Sequence, residues 1–384
     1  MKIAIVHDYI KEYGGAERVL ETLHEIWPKA PVFTTVYLPQ FLGPHRKRFE
    51  GWDIRTSSLQ KIPFIEKLIS PVRLLTPWVF ENWNFEGYDA VIVSATGAYS
   101  PNLIVRKPDT LHICYCHTPP RFLYGYPTAR NWQNNILGKI AGNLVNHRMR
   151  EIDFISAQRP DFFIANSNEV RRRIEKFYRR EATVIYPPVD TSGKRKAERG
   201  KDLSSSRFTL HARRYFLAGG RLARPKHVEL AIEACNKLKL PLKVFGRGFA
   251  DYGEELYKIA GPSIEFLGEV DEDTLGRLYR DGKALLYPSE QEDFGIIPVE
   301  AMSMGMPVIG LNQGGVKETV IDGKTGVLFD ELSVESMIKA IKRLSKLDIK
   351  AENCIENAQR FTKERFKREI QVFIKSKLQN PNNK

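Results

Sequence analysis

The sequence predicts an α/β protein made of two doubly wound parallel sheets. Three observations predict it. Short apolar runs alternate with amphipathic helical patterns from the first residues onward, as expected of strands covered on both faces by crossover helices. The alternation stops at a charged stretch containing proline and serine near residue 190, then restarts. And 384 residues are too many for one ordinary core, which favours two domains.

The elements follow in order. "KIAIVHDY" reads as a first buried strand; with one lysine and a short apolar run it does not read as a signal peptide. "GGAERVLETLHEIWP" reads as a helix, with Ala16, Val19, Leu20, Leu23, Ile26 and Trp27 on one stripe. Later strands are "PVFTTVY", "YDAVIVSA", "LHICYCH", "FFIANS" and "ATVIYPPV", with the helix "NEVRRRIEKFY" between the last two. Residues 191–214 are basic, lack periodicity and read as a linker or exposed loop. Beyond them come "YFLAGGRL", helix "HVELAIEACNKL", "LKVFGRG", "IEFLGEV", helix "EDTLGRLYRDG", "ALLYPS", "MPVIGL", "GVLF" and helix "SVESMIKAIKRLSKL". The domains are therefore placed at 1–190 and 215–364. The last helix, "FKREIQVFIKSKL", carries Phe366, Ile370, Phe373 and Ile374 on one face, and "QNPNNK" is expected to fray.

Residues 62–85, "IPFIEKLISPVRLLTPWVFENWNF", mix large apolar and basic side chains with three prolines. They read as core covering the sheet, or as broken amphipathic helices lying on a membrane surface. No run of about 18 apolar residues could cross a membrane. The net charge of +13 comes from residues before 215; the remainder is nearly balanced. Such a surface suits phosphate ligands, anionic lipid or nucleic acid, or simply solvation. Four cysteines in so long a chain, none at metal-ligand spacing, indicate a reduced, cytoplasmic protein. Period two puts Cys114 and Cys116 on one face of a buried strand.

The chemistry concentrates in "EDFGIIPVEAMSMGMPVI", residues 292–309. Gly295 permits close backbone approach, and Pro298 suits the first turn of a following helix. The turn would present backbone N–H groups at a helix N-terminus, an anion site. Glu292 before the turn and Glu300, expected in the first helical turn, would point toward it. A carboxylate can accept from two hydroxyls, so a ligand with diols at both ends and phosphates between would fit: a sugar nucleotide. On these residues alone, Glu300 could equally serve the helix dipole.

"PSEQEDFGIIPVEAMSMGMPVIG" with "NQGGVKETVIDGKTGVLF" resembles the donor-site signature of retaining glycosyltransferases of family 4. The resemblance runs through "VHDYIKEYGGAERVL", "CYCHTPPRFLYG", "IANSNEVRRRI", "VIYPPVD" and "GGRLARPKHVELAIEA", nearly the whole chain. The wording around Glu292 and Glu300 is most similar to the mannosyltransferase branch of surface-polysaccharide synthesis. The resemblance implies the GT-B fold, two Rossmann-like domains facing across a cleft, the C-terminal helix at about 365–380 joining the first. It implies that Arg221 and Lys226 bind the donor diphosphate, doing without a metal or other cofactor what Mg²⁺ does elsewhere. Glu292 would grip the sugar hydroxyls and Glu300 the ribose, with Phe294, Gly295 and Ile296 at the phosphate. Gly14 and Gly15 would approach the donor through bare backbone, and His117, at a strand's carboxyl end, would lie against the sugar. Arg247 in "VFGRGF" departs from the family's usual acidic or small residue.

The function implied is retaining transfer of a hexose, first choice mannose from GDP-mannose, to a saccharide or lipid-linked saccharide, with possible peripheral contact at the inner membrane face. Three readings stay open. A UDP-glucose, UDP-galactose or UDP-N-acetylglucosamine transferase differs only in donor. A non-hydrolysing sugar-nucleotide epimerase would consume donor without acceptor. A nucleic-acid-binding protein would exploit the charge, although the aromatics are not interleaved with the basic runs. Asp271-Glu272-Asp273 superficially matches an Asp-x-Asp metal motif, but its place before a helix favours N-capping.

Overall fold

The computed structural model describes residues 1–128, 136–190, 214–249 and 251–379, with backbone alone at 136–141. The linker expected over 191–214 lies outside the described residues except for Arg214, as does the tail from 380 on. The chain forms two compact units. Met1–Tyr126, Trp132–Pro188 and Glu364–Lys384 belong to the first; Val189–Lys363 makes the body of the second.

The first unit holds seven strands: β1 (Ile3–His7), β2 (Val32–Thr34), β3 (Ile54–Thr56), β4 (Ala90–Ala95), β5 (Leu111–Cys116), β6 (Phe162–Ala165) and β7 (Ala182–Val184). Their order is β3-β2-β1-β4-β5-β6-β7 and every pairing is parallel. The second holds β8 (Phe216–Gly219), β9 (Leu242–Phe245), β10 (Ile264–Gly268), β11 (Leu285–Tyr287), β12 (Val308–Leu311) and β13 (Gly326–Phe329). Their order is β10-β9-β8-β11-β12-β13, again all parallel. Each sheet winds outward in both directions, from between β1 and β4 and from between β8 and β11. Ligands of such sheets bind at the carboxyl ends of the strands beside that reversal.

The continuous apolar runs are explained by burial on both faces. Alternate residues of β1, β4 and β5 enter two different cores: Ala4, Val6, Val91, Val93, Cys114 and Cys116 one, Ile3, Ile5, Ala90, Ile92, Ile113 and Tyr115 the other. The cysteines thus share a buried face, as period two predicts. Val19, Leu20 and Leu23 of helix Gly15–Ile26 seal the second core, joined by Phe366, Ile370 and Ile374 of helix Lys363–Gln379.

Residues 62–85 cover the sheet in part, as the core reading expects, and leave other apolar side chains exposed. They break at their prolines into Ile65–Leu68, Pro71–Leu74 and Thr76–Glu81. Ile65, Val72, Phe80 and Phe85 are buried in the core of Val6 and Phe33, while Phe64, Leu74, Leu75 and Trp78 stay exposed. Edge strand β3 and helices Ile136–Ala157, Tyr252–Ile259 and Ala351–Ala358 are among the elements not anticipated. The 22-residue helix escaped because its polar and apolar residues are poorly segregated.

Candidate active site

In the second unit the carboxyl ends of β8, β11 and β12 assemble the predicted donor signature. The end of β11 delivers Tyr287, and the loop beyond it Ser289 and Glu292. The Tyr287 hydroxyl donates to Glu292 Oε2 at 3.0 Å, and Ser289 Oγ donates to the same oxygen. Lys226 Nζ pairs with that carboxylate and donates to the Tyr287 hydroxyl at 3.1 Å. Burial, then the Glu292 charge, holds the Tyr287 phenol well above its usual range, so it remains a donor. Lys226 and Glu292, expected to grip different parts of a donor, contact each other.

The loop is braced from behind. His227 has a positive φ of 47° and sits between two acids, Nδ1 2.9 Å from Glu229 Oε1 and Nε2 3.2 Å from Glu290 Oε2. Burial disfavours its charge, but the two carboxylates outweigh this and raise its pKa. The Glu290 N–H donates to Pro225 O at 2.8 Å, tying the β11 loop to the Lys226 loop.

Gly295 adopts φ +92° and caps helix Ile296–Ser303, with Pro298 in its first turn. The short step from Glu292 to that helix rests on Gly314 and Gly315, beyond β12. Gly315 N–H donates to Glu292 O at 2.7 Å. A Cβ on Gly315 would meet Phe294 Cα at 2.4 Å, and one on Gly314, at φ +58°, would meet Glu292 O at 2.3 Å. Backbone lies on backbone here, which only glycine allows.

Two expectations are corrected, the first-turn place of Glu300 and the bare N–H of Gly14, and Phe294 and Arg221 take the following positions. Glu300 lies beyond the first helical turn, buried, with the Tyr279 hydroxyl donating to its Oε2 at 3.3 Å. The Phe294 side chain is buried edge-on against Phe361 at 5.3 Å, and half-buried Ile296 starts the helix two residues on. Arg221 is exposed, its guanidinium 4.5 Å from the Phe249 ring centre. In the first unit, Gly14 N–H is not bare: it donates to Glu17 Oε2 at 2.8 Å in a capping box, leaving exposed Gly15 at the helix start. Asp271 Oδ1 accepts from Thr274 N–H at 2.7 Å, the capping role expected. Arg247 is exposed and its carbonyl accepts from Leu222 N–H. Among the described residues no group of three or more His, Cys, Asp or Glu could hold a metal ion.

His117 follows β5 and is buried. Its N–H donates to Ala95 O, its carbonyl accepts from Asn166 Nδ2 at 2.8 Å, and its Nε2 lies 2.9 Å from Ser94 Oγ. Burial, reinforced by nearby His7, pushes its pKa down to about 3, so the ring is neutral. The sequence reading missed Tyr287, Ser289, Gly314, Gly315 and Ser94. The only signals were the alternation in "YPSE" and a glycine pair directly after a strand.

Two parallel doubly wound sheets, the second carrying a Lys–Glu–Tyr–Ser cluster beside a glycine-capped helix, have the architecture of the GT-B fold of glycosyltransferases. Solved structures agree on the fold: sucrose-phosphate synthase from Thermosynechococcus elongatus has a TM-score of 0.71 at 17% identity, covering 98% of this chain and 99% of that one. Anabaena Alr3699/HepE, solved with UDP, has a TM-score of 0.67 at 18% identity, covering 98% and 100%. Residues 13–192 match the Glycosyltransferase Family 4 model and residues 204–361 the Glycosyl transferases group 1 model. The chain belongs to glycosyltransferase family 4. Among curated relatives, the alpha-1,3/1,6-mannosyltransferase ALG2 of Kluyveromyces lactis is 27% identical over 291 residues, 64% of this chain and 56% of that protein. The chain thus spans little more than half the length of that relative.

Proposed function

We propose that the protein transfers mannose from GDP-mannose to a hydroxyl of a saccharide or lipid-linked saccharide, with retention at the anomeric carbon and without a metal. The observation that carries this reading is the Lys226–Tyr287–Ser289–Glu292 cluster beside the Gly295 helix start, at the carboxyl edge where such sheets bind ligands. A carboxylate with its cation and two hydroxyl donors is built to exchange partners with a polyhydroxylated, phosphorylated ligand. Lys226 would turn to the diphosphate with Arg221, offsetting its growing charge, while Glu292 accepts from sugar hydroxyls. Backbone N–H groups at Gly295 and Ile296 would add donors to the phosphate, Glu300 would face the ribose, and Gly14, Gly15 and His117 would contact the donor from the first unit. The leaving phosphate oxygen would take the acceptor's proton as the new glycosidic bond forms on the same face. The choice of mannose rests on motif wording and on relatives such as ALG2.

Exposed Phe64, Leu74, Leu75 and Trp78, with Lys67 and Arg73 in the same segment, support docking on an anionic membrane face, the cytoplasmic one. Among the described residues no helix is long and apolar enough to cross a membrane. A thermal-shift panel of GDP, UDP and ADP with their sugars tests the donor; a ligand at a hundred times its Kd stabilises by about 2.7 kcal/mol. We expect GDP and GDP-mannose to stand out, and transfer to persist in EDTA. A larger response to UDP-sugars, or turnover abolished by chelation, overturns the donor or the metal-free step. Failure to float with anionic liposomes at low salt overturns the membrane contact.

A further inference from the structure

A chain of buried polar side chains crosses the carboxyl edge of the first sheet. His7 ends β1, Ser94 lies on β4 directly opposite it, His117 follows β5, and Glu17 stands in the first turn of helix Gly15–Ile26. All four are buried. His117 Nε2 is 2.9 Å from Ser94 Oγ, Ser94 Oγ is 3.1 Å from His7 Nδ1, and His7 Nε2 faces Glu17 Oε1 at 3.7 Å. The other Glu17 oxygen accepts the Gly14 N–H at 2.8 Å.

The Glu17 charge gives this chain a preferred direction. A hydroxyl has one proton, so Ser94 donates to one histidine and accepts from the other. At 3.7 Å the Glu17 carboxylate stands beyond hydrogen-bond length and His7 Nε2 makes no hydrogen bond, so in a neutral His7 ring it is the Glu17 charge that favours the proton on Nε2 and leaves Nδ1 an acceptor. Ser94 then donates to His7 and must accept from His117 Nε2–H. Neutral His117 is left with an unprotonated Nδ1, which makes no hydrogen bond among the described residues. The His117 main chain is held by Ala95 and Asn166, and the Tyr115 ring packs edge-on against its ring at 5.1 Å.

We propose that Glu17, His7 and Ser94 are positioning residues that fix His117 as its Nε2–H tautomer, so that His117 Nδ1 accepts a hydrogen bond from a carbohydrate hydroxyl. The same glutamate that caps the Gly14–Gly15 turn therefore sets the hydrogen-bonding polarity of a histidine three strands' width away. The identity of the hydroxyl rests on the glycosyl-transfer reading; the tautomer does not.

The test is long-range ¹⁵N–¹H NMR of the full chain labelled at histidine, without substrate, with His117 assigned by its loss in His117→Gln. Wild type should show His117 protonated on Nε2. Glu17→Gln should invert the relay: its amide oxygen keeps the Gly14 cap while its NH₂ donates to His7 Nε2. His7 Nδ1–H then donates to Ser94, Ser94 donates to His117 Nε2, and the His117 proton appears on Nδ1. In a Ser94→Ala background, Glu17→Gln should leave His117 unchanged. Transfer by Glu17→Gln should fall about tenfold in kcat/KM, the effect of one reversed hydrogen bond, at a near-wild-type melting temperature. The same His117 tautomer in wild type and Glu17→Gln, or Nδ1–H in wild type, overturns the relay. A tautomer that inverts with no change in transfer keeps the relay and overturns its link to the sugar.

Discussion

Replacing Gly315 with alanine probes how Glu292 is held. The new Cβ would stand 2.4 Å from Phe294 Cα and 2.6 Å from Phe294 O, where contacts under 3.0 Å essentially never occur. The two backbones must part by at least about 0.6 Å, and overpacking of this kind costs about 1–3 kcal/mol. Phe294 is anchored by its ring against Phe361, so the displacement passes to Glu292, whose carbonyl accepts the Gly315 N–H. At about 2–4 °C per kcal/mol for a unit of this size, melting should drop by roughly 2–12 °C. A shift approaching 1 Å at a positioning group costs on the order of 10²-fold, so kcat/KM should fall by about one to two decades. Differential scanning fluorimetry and a coupled nucleotide-release assay measure both. Gly276→Ala is the control. That glycine is helical, with nothing near its would-be Cβ, so the change should stabilise by about 0.5–1 kcal/mol. Gly315→Ala with wild-type melting and turnover would refute the reasoning that backbone contact positions Glu292.

Other expectations can be measured alongside. Glu292→Ala should nearly abolish transfer while circular dichroism and melting show a folded protein; wild-type turnover would remove its assignment. Lys226→Ala should cut kcat by about 10²–10³, as loss of one electrostatic stabiliser does, and weaken nucleotide binding in calorimetry. Asp153 accepts from the Tyr124 and Tyr178 hydroxyls, and burial pushes its carboxyl up to about 7. The folded protein therefore holds a proton that the unfolded chain releases above about pH 4. Its contribution to stability is complete below that pH and lost as pH rises through 7. Asp153→Asn should flatten the fall in melting temperature between pH 5 and 8; an unchanged slope would count against the raised pKa.

The fold was legible because its signals are local. Both-face burial makes β1, β4 and β5 continuous apolar runs, and Cys114 and Cys116 show the period directly. Helix Gly15–Ile26 carries a clean stripe, whereas Ile136–Ala157 does not. Strand β3, with Arg55 and Thr56 exposed at a sheet edge, carries almost no apolar signal. For the candidate site, charge and glycine spacing pointed to Glu292 and Gly295, and the resemblance to family 4 pointed to Lys226 and His117. What sequence could not convey was pairing between distant segments. That Lys226 meets Glu292, that Gly314 and Gly315 underlie that turn, and that Ser94 bridges two histidines are consequences of strand order. Gly14 shows the same limit: its N–H looked available to a ligand until the capping carboxylate three residues on was placed.

The first unit is closed by residues from the far end of the chain. Phe366, Ile370 and Ile374 fill the core that Ile5 and Leu20 begin, so during synthesis that core stays open while the whole of Val189–Lys363 is translated. At 5–20 residues per second the gap lasts on the order of ten to thirty seconds. Each of those three side chains contributes about 1.5–3 kcal/mol when buried, so the nascent unit is both weakened and sticky in that interval. The contiguous second unit can mature first, and the cell's chaperones have a defined apolar seam to guard until the last turn of helix emerges.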